Sequence, residues 1–317
     1  MEEIILSFVS SVLRISAESR LAETITFFVY DSIKILFLLV FMISIIGYLR
    51  TYISNEKLQK SLSKSPKGLS HIFASIFGAV TPFCSCSSIP IFMSFIKSGV
   101  PLGVAFSFLI TSPLVNEYVA VIMLATFGWK IALAYVASGV FIGVFVGMFL
   151  GSKNLDNQIE KEFRKVRIPK DKKYSSIKER LLFGVNESKN IVKSMWARIL
   201  IGVGIGAILH GYIPSEKIQS FISAGGIFSV PIAVIIGVPL YANCAAIVPV
   251  ALVLFQKGIP LGTTLAFMMA TAALSLPEAV ILRRIMKLRL IALFFAVVSL
   301  GIIFIGYLFN FLQGYLI

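Results

Sequence analysis

Long apolar stretches alternating with dense basic clusters are the feature that most restricts how this chain can fold. Six stretches, near 28–49, 101–126, 130–150, 195–212, 260–281 and 290–312, match the roughly 20 residues that a helix needs to cross a bilayer. Two others, 69–98 and 226–256, would each span about 45 Å as one helix. Each is also broken midway, by Gly78, Pro82 and Pro90 in the first and by Gly237, Pro239 and Pro249 in the second. The chain therefore reads as a membrane protein with two interrupted segments.

The composition supports a membrane protein and argues against a soluble protein, a nucleic-acid-binding protein and a disulfide-rich protein. Hydrophobic residues make up 57% of the 317-residue chain and charged residues 14%, against about 25% charged in soluble domains. The net charge of +14 would indicate nucleic acid in a soluble protein, but here we expect no nucleic-acid partner. Three cysteines are too few for a disulfide framework, and the acidic opening Met1-Glu2-Glu3 lacks the basic start of a signal peptide. We expect an all-α, multi-pass protein of the cell (inner) membrane, with an interfacial helix over 2–20.

The basic clusters predict how the segments cross the bilayer. Residues 50–67, 151–193 and 283–289 together hold 21 of the 29 Lys and Arg residues, and the positive-inside rule favours all three clusters in the cytoplasm. A single crossing at 69–98 would put the first two clusters on opposite sides, whereas a re-entrant hairpin keeps them together. The same reasoning makes 226–256 a hairpin. The prediction is six crossings, two re-entrant hairpins and both termini outside, with eight plain transmembrane helices as the alternative.

The two hairpins belong to an internal duplication. Gly99-Val-Pro-Leu-Gly103 recurs as Gly258-Ile-Pro-Leu-Gly262, an offset of 159 residues. The same offset pairs Lys34 with Lys193, Gly47 with Gly206, Gly78 with Gly237, Pro90 with Pro249, Lys130 with Arg289, Gly147 with Gly306, and Asp31 with Asn190. Three crossings per copy give the copies opposite orientations, as in the inverted repeats of secondary transporters. The predicted units are a first repeat over 1–150, a cytoplasmic basic linker over 151–190 and a second repeat over 191–317.

The hairpin tips carry all three cysteines. The first tip reads Thr81-Pro-Phe-Cys-Ser-Cys-Ser-Ser88, and its counterpart reads Leu240-Tyr-Ala-Asn-Cys-Ala-Ala246. Soft thiolates select soft acceptors, trivalent arsenic among them. Two alternatives stay open: a strained, reducible disulfide between Cys84 and Cys86, and small residues that only allow close backbone approach. The candidate substrate-binding residues at the tips are Thr81, Cys84, Ser85, Cys86, Ser87, Tyr241, Asn243 and Cys244.

Polar residues also interrupt the apolar helix that follows each tip. The polar residues are Thr111, Ser112 and Asn116 after the first tip and Thr271 and Ser275 after the second, and all five are further candidate substrate-binding residues. Pro113 predicts a break or kink. Carboxylates inside membrane segments are functional candidates by default, so Glu117 and Glu278 are predicted to couple protons. For Glu278 the alternative is an interfacial ion pair with Arg283. We further expect Lys97 and Lys257 to be snorkelling anchors and Asp31 and Lys34 to pair on one helix face.

The sequence contains no pattern typical of an enzyme. It has no P-loop, and His71 and His210 are too isolated for a zinc site. We therefore expect no catalytic residues, no metal and no cofactor.

The tip motif carries a family resemblance. Thr81-Pro-Phe-Cys-Ser-Cys-Ser87, with Pro90, Gly99-Val-Pro-Leu-Gly103 and Thr111-Ser-Pro113, resembles the bacterial and archaeal predicted permease family that includes the YraQ-like proteins and the ArsP organoarsenical efflux permeases. The likeness extends over nearly the whole chain. It implies an inner-membrane permease, with Cys84 and Cys86 as functional thiols and, as in characterised members, export of trivalent organoarsenicals.

Three functions follow from these observations. The first is a secondary transporter that exports a soft, thiol-seeking solute and confers arsenic resistance. The second is a permease for a sulfur compound or small anion, bound by tip hydroxyls, Asn243 and the N-termini of the hairpin helices. The third is a membrane thiol–disulfide carrier that uses Cys84 and Cys86 with a thioredoxin-like partner.

Overall fold

The computed structural model describes residues 20–51, 68–81, 85–115, 117–153, 155–160, 176–212, 222, 225–240 and 244–316. Within these ranges the structure is helical, without strands, and an antiparallel bridge joins Ile159 to Met286. The helices are α1 Arg20–Arg50, α2 Leu69–Val80, α3 Ser85–Lys97, α4 Leu102–Leu114, α5 Glu117–Phe127, α6 Trp129–Ser152, α7 Ile177–Tyr212, α8 Ser229–Gly237, α9 Cys244–Gln256, α10 Leu261–Ala273, α11 Leu276–Leu282 and α12 Leu288–Leu316. The predicted interfacial helix over 2–20 lies almost wholly outside the described residues.

The helix boundaries repeat with the offset found in the sequence. When 159 is added to their residue numbers, the bounds of α3 and α4 become the bounds of α9 and α10. The starts of α5 and α6, Glu117 and Trp129, coincide with the starts of α11 and α12. Helix α7 begins at Ile177 and continues past residue 190, so it contains the last part of the predicted basic linker.

Several helices have the length and composition of membrane spans. Among the described residues, Trp129–Ser152, Leu261–Leu282 and Leu288–Tyr315 qualify, and Leu102–Leu114 with Val119–Phe127 forms a fourth if this pair, bent by 48°, is one span. These correspond to four of the six predicted crossings. The other two, 28–49 and 195–212, lie within the long helices α1 and α7, and their membrane crossing stays a prediction.

The two interrupted segments each form a pair of short helices. The first segment holds α2 and α3 and the second α8 and α9, none longer than 13 residues. At about 1.5 Å per residue such a helix is about 20 Å long, short of the roughly 30 Å hydrocarbon core. Helix α2 ends at Val80 and α3 begins at Ser85, on either side of Pro82, and α8 ends at Gly237 and α9 begins at Cys244, on either side of Pro239. Gly78, Pro90 and Pro249, which the sequence also predicts as breaks, lie inside α2, α3 and α9.

A glycine turn follows each pair of short helices and explains the repeated Gly-x-Pro-Leu-Gly motif. Gly99 and Gly258 have φ angles of 77° and 88°, a conformation that favours glycine. The amides of Gly99 and Val100 donate to the carbonyls of Ile96 and Phe95, 3.0 Å each, and Gly258 and Ile259 make the equivalent bonds. This Schellman arrangement ends α3 and α9. Pro101 and Pro260 then occupy the cap positions of α4 and α10.

Glycines also let the helices of each half approach one another closely. A Cβ on Gly103 of α4 would lie 2.7 Å from the carbonyl oxygen of Gly147 on α6, and one on Gly262 would clash with the carbonyl of Gly306 on α12. The two glycine pairs are related by the 159-residue offset. The same backbone contact therefore occurs in both halves.

Cross-half contacts surround a buried centre. Nearly every residue of α4 and α10 is buried, and these two helices pack against each other. Helix α3 packs against α11, and α9 packs against α5. Large apolar side chains remain exposed on the outer faces of α6 and α12, among them Phe145 and Phe304. Such faces are typical of helices in contact with lipid.

Candidate functional site at the helix breaks

The described part of the candidate site lies where the two buried helices end. Helix α4 ends at Leu114 and α10 at Ala273, equivalent positions under the 159-residue offset. The final turns of both helices contain side-chain hydroxyl groups. The residues that carry them, Thr111, Ser112 and Thr271, are buried, with no more than 2% of each exposed. Polar groups buried in this way must be satisfied within the protein or by a bound ligand.

In the first half the break follows Pro113. The proline lies inside the last turn of α4 and supplies no N–H for an intrahelical bond. Thr111 donates its hydroxyl to the carbonyl of Ser107 at 2.9 Å and accepts the amide of Val115 at its own carbonyl, 2.8 Å. Thr111 also contacts Gly143 of α6, where a Cβ would clash with its hydroxyl. This half of the break is thus held against α6.

A tyrosine that the sequence analysis missed completes this half. Tyr135, on α6 and 1% exposed, donates its hydroxyl to the carbonyl oxygen of Leu114 at 2.8 Å. That carbonyl belongs to the last residue of α4, and the carbonyls of a last helical turn have no N–H donor within the helix. The residues lie 21 positions apart, so no local pattern predicts the bond, although a polar tip within an apolar helix was a usable signal.

The second half breaks between α10 and α11. Thr271 donates to the carbonyl of Phe267 at 2.9 Å. Ser275 is the N-cap of α11 and accepts the amide of Glu278 at 3.4 Å, with a proline in the first turn. Proline and a capping serine together start a new helix after the break. The predicted position of Ser275 within the site therefore coincides with a structural cap.

The carboxylate of Glu278 lies inside the protein. Its side chain is 2% exposed, on a helix that packs against both α7 and α3. Arg283, the alternative ion-pair partner predicted for Glu278, forms an ion pair with Glu160, 2.9 Å between Nη1 and Oε1.

The tips are described only in part. Cys84, Asn116, Tyr241 and Asn243 lie outside the described residues, and so do the side chains of Ser85, Cys86, Ser87, Glu117 and Cys244. The backbone of α3 begins at Ser85 and that of α9 at Cys244, which are counterparts under the offset. Thr81 donates its hydroxyl back to the carbonyl of Phe77 at 2.6 Å.

Packing across the two halves brings the described elements of the site together. Helix α3, which follows the first tip, contacts α11 of the second half, and α9, which follows the second tip, contacts α5 of the first. Each cysteine-bearing helix therefore lies against the helix that begins at the opposite break.

The remaining polar residues form contacts within or between helices, and two of them cap a helix end. His71 Nδ1 lies 2.9 Å from Ser107 Oγ, while the side chain of His210 is outside the described part. In the second half, Gln313 and Asn310 of α12 accept the amides of Leu261 and Thr263 at 2.9 and 3.2 Å and so cap α10. Lys34 Nζ lies 5.4 Å from the ring centroid of Tyr30, and the side chain of Asp31 is not described. No group of three metal-binding side chains occurs among the described residues.

Over the described residues, the apolar helices, the breaks at polar residues and the exposed phenylalanines on outer helix faces indicate an all-helical membrane protein. Comparison with known sequences identifies its family. The ArsP_1 family model, described as "Predicted permease", matches residues 20–311, and the chain belongs to this family.

Two curated relatives agree with this assignment. The UPF0718 protein MJ0584 of Methanocaldococcus jannaschii is 22% identical over 284 residues. The match covers 71% of this chain and 77% of that protein. The UPF0718 protein YcgR of Bacillus subtilis is 23% identical over 125 residues, which cover 39% of this chain and 42% of that protein. No solved structure matches the chain significantly. The family supports a membrane permease, and a transporter rather than an enzyme.

Proposed function

We propose that the protein is a secondary transporter of the cell membrane, built from two inverted repeats that each contain three crossings and a re-entrant hairpin. The observation that carries this proposal is the packing of α1 against α7, two helices that are counterparts in the duplication. Ser44 Oγ lies 3.0 Å from Ser188 Oγ, near the end of α1 and the beginning of α7. Phe28, near the start of α1, lies against Gly204, near the end of α7. The counterpart helices therefore run antiparallel, as inverted repeats require.

A hydrogen bond supports the first hairpin. Arg180 Nη1, at the start of α7, donates to the carbonyl of Thr51, at the end of α1, at 2.8 Å. Crossings at 101–126 and 130–150 separate these residues. If 69–98 were a third crossing, Thr51 and Arg180 would lie on opposite sides of the membrane. A hairpin at 69–98 accounts for their contact.

A backbone bridge supports the second hairpin in the same way. Ile159 pairs with Met286, and the crossings at 195–212 and 260–281 lie between them. A further crossing at 226–256 would separate the two residues across the bilayer. Both contacts favour six crossings with two hairpins over eight plain helices. With the basic clusters in the cytoplasm, this arrangement puts both termini outside.

The proposed substrate is a soft, thiol-seeking solute such as a trivalent organoarsenical, bound near the midplane and exported. All three cysteines lie at the two tips, and the helices that leave the tips, α3 and α9, pack against the opposite halves. Soft metalloid centres prefer thiolate ligands. Glu117 and Glu278, at the starts of α5 and α11, are proposed to couple export to protons. The hydroxyls of Thr111, Ser112, Thr271 and Ser275 would complete the site.

Methylarsenite transport in everted membrane vesicles tests the proposal. The unaltered protein is expected to accumulate the arsenical, and Cys84→Ser, Cys86→Ser and Cys244→Ser to lose most of this transport. Met93→Leu is the matched control, because it removes a buried thioether, not a thiol, from α3. Absence of transport by the unaltered protein would exclude the arsenical, and full transport by the triple serine variant would exclude thiol ligation.

The same preparations distinguish the alternatives. Transport of thiosulfate or another small anion without any effect of the serine substitutions would favour an anion permease. A Cys84–Cys86 disulfide that equilibrates with reduced thioredoxin, without solute transport, would favour the thiol–disulfide carrier.

A further inference from the structure

A short segment after α6 pairs with the turn between the last two helices. The segment is Leu155–Glu160, here called the strap, and the turn is Arg283–Lys287, here called the α11–α12 turn. The amide of Lys287 donates to the carbonyl of Gln158, and the amide of Glu160 donates to the carbonyl of Ile285, both at 2.8 Å. These bonds flank the Ile159–Met286 pair. The strap is thus held by strand-like pairing in an otherwise helical protein.

Side chains reinforce this pairing. Ile159 is 3% exposed and Met286 is fully buried, and both belong to the main apolar core. Arg283 Nη1 lies 2.9 Å from Glu160 Oε1 and donates to the carbonyl of Met286 at 3.2 Å. Arg283 is half exposed, so its ion pair contributes modestly. The strap therefore combines an apolar anchor with a weaker, reversible charge contact.

The position of the strap connects it to the first tip. The strap continues from α6 in the first half, whereas the α11–α12 turn belongs to the second. Helix α11 packs against α3, the helix that begins at the first tip. A strap that holds the turn therefore also holds α11 against α3.

The counterpart position in the first half makes a different kind of contact. Phe127 is the counterpart of Met286 under the offset, and its ring packs against Phe255 with 5.6 Å between centroids. This apolar contact joins α5 to α9, the pair equivalent to α11 and α3. The α11–α12 turn is thus held by an ion pair and backbone hydrogen bonds, whereas the counterpart position at Phe127 is held by an aromatic contact.

We propose that the strap is a cytoplasmic latch that closes access to the first tip. This inference rests on the proposed transporter topology. While Ile159 pairs with Met286 and Glu160 with Arg283, α11 stays against α3 and the path from the cytoplasm is shut. Release of the strap lets α11 and the turn move away, as alternating access requires on that side.

Thiol labelling in everted vesicles tests the latch without a substrate. Cys86 is kept as the only native cysteine, through Cys84→Ser and Cys244→Ser, and its rate of reaction with an impermeant maleimide is measured. Arg283→Glu is expected to speed labelling about two- to fivefold, the range open to an exposed ion pair. Lys287→Glu is the matched control, because it makes the same charge change at an exposed residue of the same turn. The exchange Glu160→Arg with Arg283→Glu should bring the rate most of the way back, because it restores the ion pair but not the bond from Arg283 to the carbonyl of Met286.

A disulfide tests the same latch in its closed form. Ile159 and Met286 form a non-hydrogen-bonded antiparallel pair, whose Cα atoms lie about 4.5 Å apart and suit a disulfide. Oxidised Ile159→Cys/Met286→Cys protein should show strongly slowed labelling of Cys86, followed on the Cys86 peptide itself because the introduced thiols also react once reduced. Reduction should restore this labelling, and the reversibility shows that the variant is folded. Equal labelling rates in all variants, oxidised and reduced, would overturn the latch.

A separate label distinguishes failure of the latch from failure of the topology. Lys287→Cys should react with the impermeant reagent in everted vesicles and not in intact cells. Reaction from outside would refute the proposed topology. Reaction from the cytoplasm together with unchanged Cys86 labelling would refute the latch alone.

Discussion

Gly301 lies directly against Ile142, the residue 159 positions before it: a Cβ at 301 would be 3.4 Å from Cγ2 of Ile142. Two counterparts in a duplicated chain meet in this way only near the axis that relates the copies. Ile142 lies near the middle of α6, and Gly301 near the middle of α12. The contact agrees with the proposed pseudo-two-fold relation between the repeats, whose axis would pass between these two helices near their midpoints.

The proposed inverted arrangement predicts that two counterpart positions are exposed on opposite sides of the membrane. Lys97 and Gln256 are exposed and are the last residues of α3 and α9. In a cysteine-free background, Lys97→Cys should react with an impermeant maleimide only from the cytoplasm and Gln256→Cys only from outside. Labelling of both from outside would instead fit eight plain crossings. Thr51→Cys, at the end of α1, reports the cytoplasmic side independently.

Close glycine packing predicts matched stability losses in the two halves. Gly103→Ala and Gly262→Ala place a methyl group against the backbone of Gly147 and Gly306, respectively. Overpacking of this kind costs about 1–3 kcal/mol, so both variants should unfold at lower temperature in detergent. Gly314→Ala is the control, since its Cβ meets nothing within 4 Å, and alanine is the better helix former. Unchanged melting temperatures for Gly103→Ala and Gly262→Ala would contradict the close approach.

Tyr135→Phe should destabilise the first break. The variant removes a buried hydroxyl that donates to the Leu114 carbonyl, and an unsatisfied buried acceptor costs about 1–3 kcal/mol. Tyr307→Phe is a matched control, because the hydroxyl of Tyr307 also donates to a backbone carbonyl, that of Ile227 at 2.8 Å, but in an exposed setting. Thermal unfolding of the two variants side by side measures the difference. Equal losses of stability in the two variants would mean that burial of the Leu114 carbonyl does not increase the cost of removing its hydrogen bond.

Substitution of Ser275 should separate its structural role from a role in binding. Ser275→Ala removes the cap of α11 and should cost about 1 kcal/mol, whereas Ser275→Asn keeps a capping oxygen. If Ser275 only caps the helix, the asparagine variant should match the unaltered protein in both melting temperature and transport. Normal stability with impaired transport in Ser275→Asn would indicate that the serine also contacts the substrate.

Glu278→Gln should uncouple transport from protons. The side chain is buried and glutamine keeps its shape, so the variant should fold but lose the pH dependence of solute accumulation. Glu179→Gln, at an exposed position in the first turn of α7, should keep that dependence. Solute uptake into everted vesicles, measured across a range of imposed pH gradients, checks both outcomes. An unchanged pH dependence in Glu278→Gln would leave Glu117 as the coupling carboxylate.

Features set by neighbouring residues could be read from the sequence. The turns at Gly99 and Gly258 require a positive φ angle, and the proline two residues later starts the next helix. The break after Pro113 follows from its missing N–H. The break before Ser275 was not predicted, because no proline precedes it and Pro277 marks the start of the next helix, not the end of the last. The tip cysteines, as functional thiols, stay a prediction.

The sequence by itself determined the duplication, most of the helices and the break after Pro113, because φ angles, backbone donors and apolar length act within a few residues. Only the tertiary structure decided which distant groups meet. Arg180 reaches Thr51 across 129 residues, and Glu160 meets Arg283 across 123. Such partners are selected by helix packing, in which close backbone contact at glycines fixes where each helix end lies. A local pattern contains no information about that position, so the strap and the antiparallel pairing of α1 with α7 emerged only from the folded chain.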